Sequence, residues 1–484
     1  MEVFMKLIYN VQDKPKAGQI IMFAFQQLLA IMAATIAVPG IVNGVTGSEM
    51  SASAAMFGAG VGTIVYLLFT KFKSPVFLGS SFAFLGSMFA AFGGGVAMSL
   101  GYLGLILGAA FAGLVYVVLS IVVKLAGVGW INKIMPAVVI GPTVAIIGLS
   151  LATNAVGDTV TGGVKDASGA AVANPYIAFI CAFITMIVVV VCSTYGKKMG
   201  RLIPFIIGIL AGYATGCYFT IIGMLTNTPA LQIVDFSSFT NLFAGGVKTA
   251  SFVQLPDFTF VKALEGFKSI NGSYIATIAV AFIPVAFVVF AEHIADHKNL
   301  SSIIEKDLLK DPGLSRTLLG DGVGSFAGAI FGGCPNTTYG ESIGCVAITG
   351  NASIITILFA AIFAIVVSFI SPIMAFLQSI PSCVMGGVCI TLYGFIAVSG
   401  LKMIQKADLN DNANLFPVSV ILICGVGGLS FTFGKVTITT VATALILGIF
   451  VNLILKKGRK SDAGDEVKVE SDKKEDEAVN EEEI

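Results

Sequence analysis

The chain has 484 residues, 56% hydrophobic and 12% charged, with one Trp, no net charge and a mean hydropathy of +0.93. So little charge and so much apolar side chain exclude a large soluble core and point to a polytopic membrane protein. A spanning helix needs about 20 apolar residues, and about fourteen candidate segments fit between Ala17 and Leu455, several of them short or glycine-broken.

The first apolar segment, Gly18 to Val42, is too long for a signal-peptide core and has no polar mature domain behind it, so it reads as the first helix. After Lys71 and Lys73 comes VFLGSSFAF at 76–84, a short segment rich in Gly and Ser. Gly104 and Gly108 stand at the four-residue spacing that lets membrane helices approach closely. The stretch IMPAVVIG, with Pro136, Val139 and Gly141, opens a later segment. Basic residues recur at alternate connections: Lys71 and Lys73; Lys124 and Lys133; Lys197, Lys198 and Arg201; Lys298 to Arg316; Lys402 and Lys406; Lys456 to Lys460. The intervening loops at 157–174 and 235–268 are longer and mixed in sign. Because Lys and Arg favour cytoplasmic loops, both termini are expected inside and the helix count even.

In the second half, SYIATIAVAFIPVAFVVFAE closes on Glu292, and FGGCPNTTYGESIGCVAITG holds Glu341. An acid near the bilayer centre costs roughly 3 kcal/mol on insertion scales, so each is expected to face a protein interior, a substrate or a proton path. Thr337, Thr338, Gly340, Ser342 and Gly344 around Glu341 suit non-helical backbone lining a cavity. Asp296, at i+4 from Glu292, leaves two readings open: it shares a proton with Glu292, or, followed by His297 and Lys298, it marks a helix end in water. His293 and His297 are alternative proton carriers that point away from Glu292 on a regular helix. Asp321, near Arg316, reads as a solvated helix end, and Gly320, Gly324 and Gly328 as a packing face. SIPSCVMG, with Pro381, Val384 and Gly386, echoes IMPAVVIG, and each half carries one short Gly- and Ser/Thr-rich segment. This suggests an inverted repeat with a midplane site.

Eight cysteines show no CxxC pair and only two histidines are present, so no disulfide framework, zinc site or other cofactor is expected. No phosphate loop or dinucleotide fingerprint supports an ATP-driven pump or an enzyme. The run from Ser461 to Ile484 is dense in acids and reads as a disordered tail.

FAEHIADHKNLSSIIEKDLLKDPGL followed by NTTYGESIGCVAITG resembles the nucleobase-cation symporter-2 family, also called nucleobase-ascorbate transporters, and within it the bacterial uracil-transporting branch. The likeness extends to FQQLLAIMAATIAVPG, YLLFTKFKSPVFLGSSFAF, the Pro136 segment and PSCVMGGVCITLYGFIAVSG, and so to nearly all of the chain before the tail. What the resemblance implies is an all-α polytopic membrane protein of about 14 transmembrane segments in a 7+7 inverted repeat, with two short extended strands in broken segments 3 and 10. It further implies a cytoplasmic N-terminus at 1–17, a core domain of helices 1–4 at 18–126 and helices 8–11 at 273–375, a gate domain at 127–272 and 376–456, and a cytoplasmic tail at 457–484.

The implied activity is proton-coupled uracil import across the cytoplasmic membrane, with lipid around the protein, no nucleic-acid partner, and a homodimer left open. By the same resemblance Glu292 and Glu341 hydrogen-bond the pyrimidine, the Gly340 backbone meets it, and Phe82 packs on its ring. Uracil has two N–H donors and two carbonyl acceptors on a flat, uncharged ring, so carboxylate acceptors, the N–H donors of Gly340 to Ser342 and an apolar face suit it. Three positions depart from the uracil pattern: Asp296 replaces a His, Ser342 an Asn, and Gln26–Gln27 a QH pair. Purine members typically carry QN at the positions of Glu341 and Ser342, so Glu341 favours a pyrimidine, although Gly350 after Thr349 is closer to the purine pattern. A xanthine or other purine permease is the alternative, ahead of an anion transporter or a channel.

Overall fold

A computed structural model describes residues 7–127, 136–150, 152–164, 170–197, 204–405, 407–433, 436–438 and 440–455. The acidic tail and the basic residues Lys133, Lys198, Arg201 and Lys406 lie outside the described residues. The first half comprises α1 (Ala17–Thr46), α2 (Ala52–Phe69), β1 (Leu78–Ser80), a 3-10 turn (Phe82–Phe84), α3 (Leu85–Ala91), α4 (Met98–Ala126), α5 (Ala137–Ser150), α6 (Ala152–Asp158), α7 (Pro175–Tyr195) and α8 (Pro204–Leu225). A long connection with the short helices α9 (Ser237–Phe243) and α10 (Thr259–Ala263) leads to α11 (Gly272–Ile304). Then come α12 (Leu314–Gly332), β2 (Asn336–Thr338), α13 (Gly340–Thr349), α14 (Ile354–Val367), α15 (Ser371–Ser379), α16 (Ser382–Ile404), α17 (Asn412–Val426), the hairpin strands β3 (Phe431–Phe433) and β4 (Val436–Ile438), and α18 (Thr440–Leu455).

Among the described residues, eight helices are long and apolar enough to cross a membrane, and four shorter apolar helices accompany them. Their ends follow local chemistry. Ser51 Oγ accepts from the Ala54 N–H at the start of α2, and Asn271 Oδ1 from the Tyr274 N–H at the start of α11; side-chain oxygens there satisfy backbone donors that have no intrahelical partner.

Close approach of helices depends on the glycines. α2 packs on α12, where a Cβ at Gly62 would stand 2.7 Å from the Gly324 carbonyl oxygen and one at Gly324 2.7 Å from that of Gly62. The expected packing face at 320–328 is therefore realised. On α4, a Cβ at Gly108 would stand 2.5 Å from the Phe282 ring of α11. The helices that open on the two echoing segments, α5 and α16, pack against each other, with Gly141 facing the Gly400 carbonyl.

Two broken segments meet in the protein interior. β1 and β2 pair antiparallel in the register Leu78↔Thr338, Gly79↔Thr337 and Ser80↔Asn336. The ladder is extended at its ends by the Tyr339 N–H to the Phe77 carbonyl (3.1 Å) and the Ser81 N–H to the Pro335 carbonyl (2.9 Å). All six strand residues are buried. Their backbone groups must pair with each other because neither lipid nor packed protein supplies water. Each strand then runs into a short helical piece, β1 into the 3-10 turn and α3, β2 into α13.

Candidate functional site

Glu341 lies in the first turn of α13, beside the helix's unpaired N–H groups, where a negative charge is favoured by the helix dipole. Gly340 before it is exposed, and a Cβ there would meet nothing within 4 Å. Open space thus borders the backbone at the start of α13. Ser342 is fully buried: its Oγ accepts from the Phe77 N–H (3.0 Å) and from Gln27 Nε2, which also donates to the Ser342 carbonyl (3.2 Å). The Ser342 side chain is thereby occupied in fastening α13 to α1 and to the lead-in of β1.

Glu292 and Asp296 sit one turn apart on α11, both half-buried. Thr338 of β2 donates its Oγ1 hydrogen to Asp296 Oδ2 at 2.7 Å. Glu292 lies within electrostatic reach of Glu341 and Asp321. α11 continues to Ile304, eight residues past Asp296, so the reading of Asp296 as a helix end in water is overturned.

Phe82 follows β1 directly and is half-buried, its ring edge-on to Tyr393 of α16 with centroids 5.8 Å apart. It forms part of the wall of a cavity of about 900 Å3 that also takes in Val45, Ser150, Asn154 and Thr277. The ring contact ties the broken segment to α16, while the cavity wall takes in Phe82 and not Tyr393.

Behind the carboxylates, the adjacent face of α11 carries a second polar group. His293 Nδ1 stands 2.7 Å from Asp321 Oδ2 and its Nε2 3.0 Å from Thr317 Oγ1, both on α12. His297 Nδ1 is 2.8 Å from the His293 carbonyl, and its Nε2 is 2.7 Å from the Tyr66 hydroxyl, which lies 2.7 Å from Ser74 Oγ. A carbonyl only accepts, so the His297 proton is on Nδ1. The two imidazoles lie 4.0 Å apart between centroids. Asp321 is 1% exposed, which corrects the expectation of a solvated helix end: a buried carboxylate must be paired, and His293 supplies the partner.

A family profile described as "Permease family" matches residues 18–434, well over half of the chain. The chain belongs to the permease family. Similar relatives include the uracil permeases of Bacillus caldolyticus, 37% identical over 93% of this chain and 95% of that one, and of Bacillus subtilis strain 168, 36% identical over 95% and 97%. The uracil permease of Escherichia coli K12 is 35% identical over 92% of this chain and 94% of its own. Two solved structures share the fold at low identity: the transmembrane domain of the cyanobacterium bicarbonate transporter BicA (TM-score 0.56, 14% identical, covering 93% of this chain and 99% of that one) and the murine anion transporter Slc26a9 in its inward-facing state (TM-score 0.59, 10% identical, 92% and 69%).

In this permease the two broken segments and α11 bring Asp296 against Thr338 and place Glu292 in reach of Glu341, while Gly340 and Ser342 lie on the same first turn as Glu341. Phe82 starts from the opposite end of the strand pair and is the member that touches α16. Sequence reasoning missed Tyr393, a single aromatic inside an apolar run with no local signal, and the partnership of Tyr66 with His297, which joins residues 231 positions apart. Among the described residues no group of three or more His, Cys, Asp or Glu could hold a metal ion.

Proposed function

We propose that this permease carries uracil across the cytoplasmic membrane in symport with protons. The observation that carries the reading is the meeting of Glu292, Asp296 and Glu341 with an open helix start at Gly340. Such a set offers carboxylate acceptors for the two N–H groups of a neutral pyrimidine and backbone donors for its carbonyls, with Phe82 as the apolar face. The uracil permeases similar over nearly the whole chain support the same substrate.

Glu292 and Glu341 bind the ring N–H groups, and Gly340 and Ser342 contribute backbone, with Ser342 also bracing α13. Glu292 and Asp296 hold the coupled proton. The transmembrane plan is fourteen segments in two inverted halves of seven, both termini cytoplasmic. A core of 18–126 and 273–375 moves against a gate of 127–272 and 376–456 in alternating access. Packing among α1, α2, α4, α11, α12 and α14 on one side, and among α5, α7, α8, α16 and α17 on the other, supports that division. Exposed apolar side chains such as Leu114, Val118 and Ile121 on α4 are where lipid is met. The fold shared with bicarbonate and other anion transporters does not extend to substrate, because a site with three acids repels anions.

Uptake of radiolabelled uracil into proteoliposomes, competed in turn with thymine, xanthine and bicarbonate, tests the reading. Saturable uptake blocked by unlabelled uracil and not by xanthine or bicarbonate is expected. Uptake of xanthine in preference to uracil would replace the pyrimidine assignment with a purine one.

A further inference from the structure

The residues preceding α1 are bonded across the base of the broken segment that carries Glu341. The Ile8 and Tyr9 N–H groups donate to the Gly350 carbonyl (2.7 and 3.2 Å), the Ala352 N–H to the Tyr9 carbonyl (2.9 Å) and the Ile354 N–H to the Val11 carbonyl (3.0 Å). They form a parallel bridge between Tyr9 and Asn351. Side chains add to it: Ser353 Oγ donates to the Asp13 carbonyl (2.7 Å), Gln12 Nε2 to the Phe72 carbonyl (2.9 Å), and the Tyr9 hydroxyl to Gln19 Oε1 (2.8 Å). Val11 is 3% exposed and belongs to the same apolar cluster as Leu28, Tyr339, Ile343 and Val346.

Gly350 is where α13 stops, in the left-handed conformation at φ 65°. α13 has 10 residues, fewer than the roughly 12 to 15 at which an isolated helix becomes even marginally stable, so both its ends need tertiary support. Its first turn is held by Gln27 and Phe77 through Ser342. The chain just beyond its last turn is held by residues 8–13, whose bonds outside their own turn reach α1, residues 350–354 and Phe72.

We infer that residues 8–13 are a positioning strap for α13, a clasp that fixes the helix carrying Glu341 and so sets the alignment of that carboxylate for substrate. The inference rests on the reading of Glu341 as a substrate contact. The strap acts on affinity: it bonds to α1, which packs with α13, and makes no hydrogen bond to α5–α8 or α16–α18 among the described residues. Releasing it lets α13 tilt and costs the site the alignment of a charge-assisted hydrogen bond.

Two substitutions release the strap by different means. Val11→Asp drives a charge into the apolar cluster, and Ile8→Pro removes one N–H donor at a residue whose side chain is 63% exposed. Each is expected to raise the uracil Kd of the purified full-length protein about tenfold, and the transport KM in step, with the maximal rate within about twofold of wild type. Val11→Ile, which keeps the apolar contact, is expected to retain wild-type Kd. Wild-type Kd in Ile8→Pro overturns the strap, and this variant decides alone if Val11→Asp does not purify folded; so does an equal loss of affinity in Val11→Ile. A fall in maximal rate with unchanged KM also overturns it. Glu341→Gln is measured alongside. If that variant alone leaves binding intact, the reading of Glu341 falls and the strap's support of α13 stands; if the strap variants alone leave it intact, the strap falls and Glu341 stands.

Discussion

Glu341 and Asp321 are both acids on or beside broken helices, and what surrounds each decides what its replacement does. Open space at Gly340 borders the first turn that carries Glu341, and in the proposed reading its carboxylate is the acceptor for an arriving N–H donor. Glu341→Gln turns one acceptor oxygen into a donor. Losing a charged acceptor from a buried hydrogen bond costs about 1.5 to 3 kcal/mol, so calorimetric uracil affinity should fall at least about tenfold. Unchanged affinity would remove Glu341 from the site. Asp321 is already partnered by His293, so its effect is on stability. Asp321→Ala leaves a buried imidazole N–H unpaired, at a cost of about 1 to 3 kcal/mol, whereas Asp321→Asn keeps an acceptor and should cost less. Thermal unfolding in detergent should rank wild type, Asn, then Ala. Equal midpoints for Ala and wild type would mean that Asp321 is solvated after all. The sequence around Asp321 could not reveal this, since its partner lies 28 residues away on another helix.

At the level of elements, the paired broken segments were legible because glycine, serine and threonine interrupt apolar runs, and hydrogen-bonded strands are what such interruptions become where water is absent. The length of α11 was not. Asp296, His297 and Lys298 read locally as a polar helix end, yet the helix continues because Asp296 meets Thr338 and His297 meets Tyr66, contacts 42 and 231 residues distant in sequence. The β3–β4 hairpin also carried no signal strong enough to separate it from the flanking apolar segments. The strand pair makes its own prediction. A Cβ at Gly79 would clash with the Tyr339 ring, and Tyr339 cannot swing aside without giving up its hydrogen bond to the Ser80 carbonyl (2.7 Å). Gly79→Ala should therefore destabilise the protein by about 1 to 3 kcal/mol through overpacking. Gly340→Ala, with open space around it, should leave the unfolding midpoint unchanged while weakening uracil binding. If both variants unfold like wild type, the β1–β2 pairing does not constrain the site.

At the scale of the whole molecule, the proposed plan makes the 196–203 connection cytoplasmic and the 226–271 connection external. In a background with the eight native cysteines replaced, a cysteine at Gly196 should react with membrane-impermeant maleimide only in inverted vesicles, and one at Gly245 only in intact cells. Labelling of both from one face would dismantle the fourteen-segment plan. Coupling is a property of the same whole cycle. Uracil is uncharged, so the membrane potential alone does not drive it, and accumulation against its gradient needs coupling to the gradient of a second solute. Glu292 and Asp296, one turn apart and close to Glu341, form a group of acids that cannot all ionise without mutual repulsion. In the proposed symport, a proton taken up outside would relieve that repulsion and be released inside once the site has turned. An acidic exterior should therefore drive uracil accumulation into proteoliposomes, and an alkaline exterior should not. Asp296→Asn, which removes one acid and keeps an acceptor for Thr338, should abolish gradient-driven accumulation yet leave uracil–uracil exchange, which moves no net proton, near wild type. If Asp296→Asn accumulates uracil with the wild-type dependence on the imposed gradient, the coupled proton is held without Asp296, and the pairing of α11 with β2 through Thr338 serves only to position the helix.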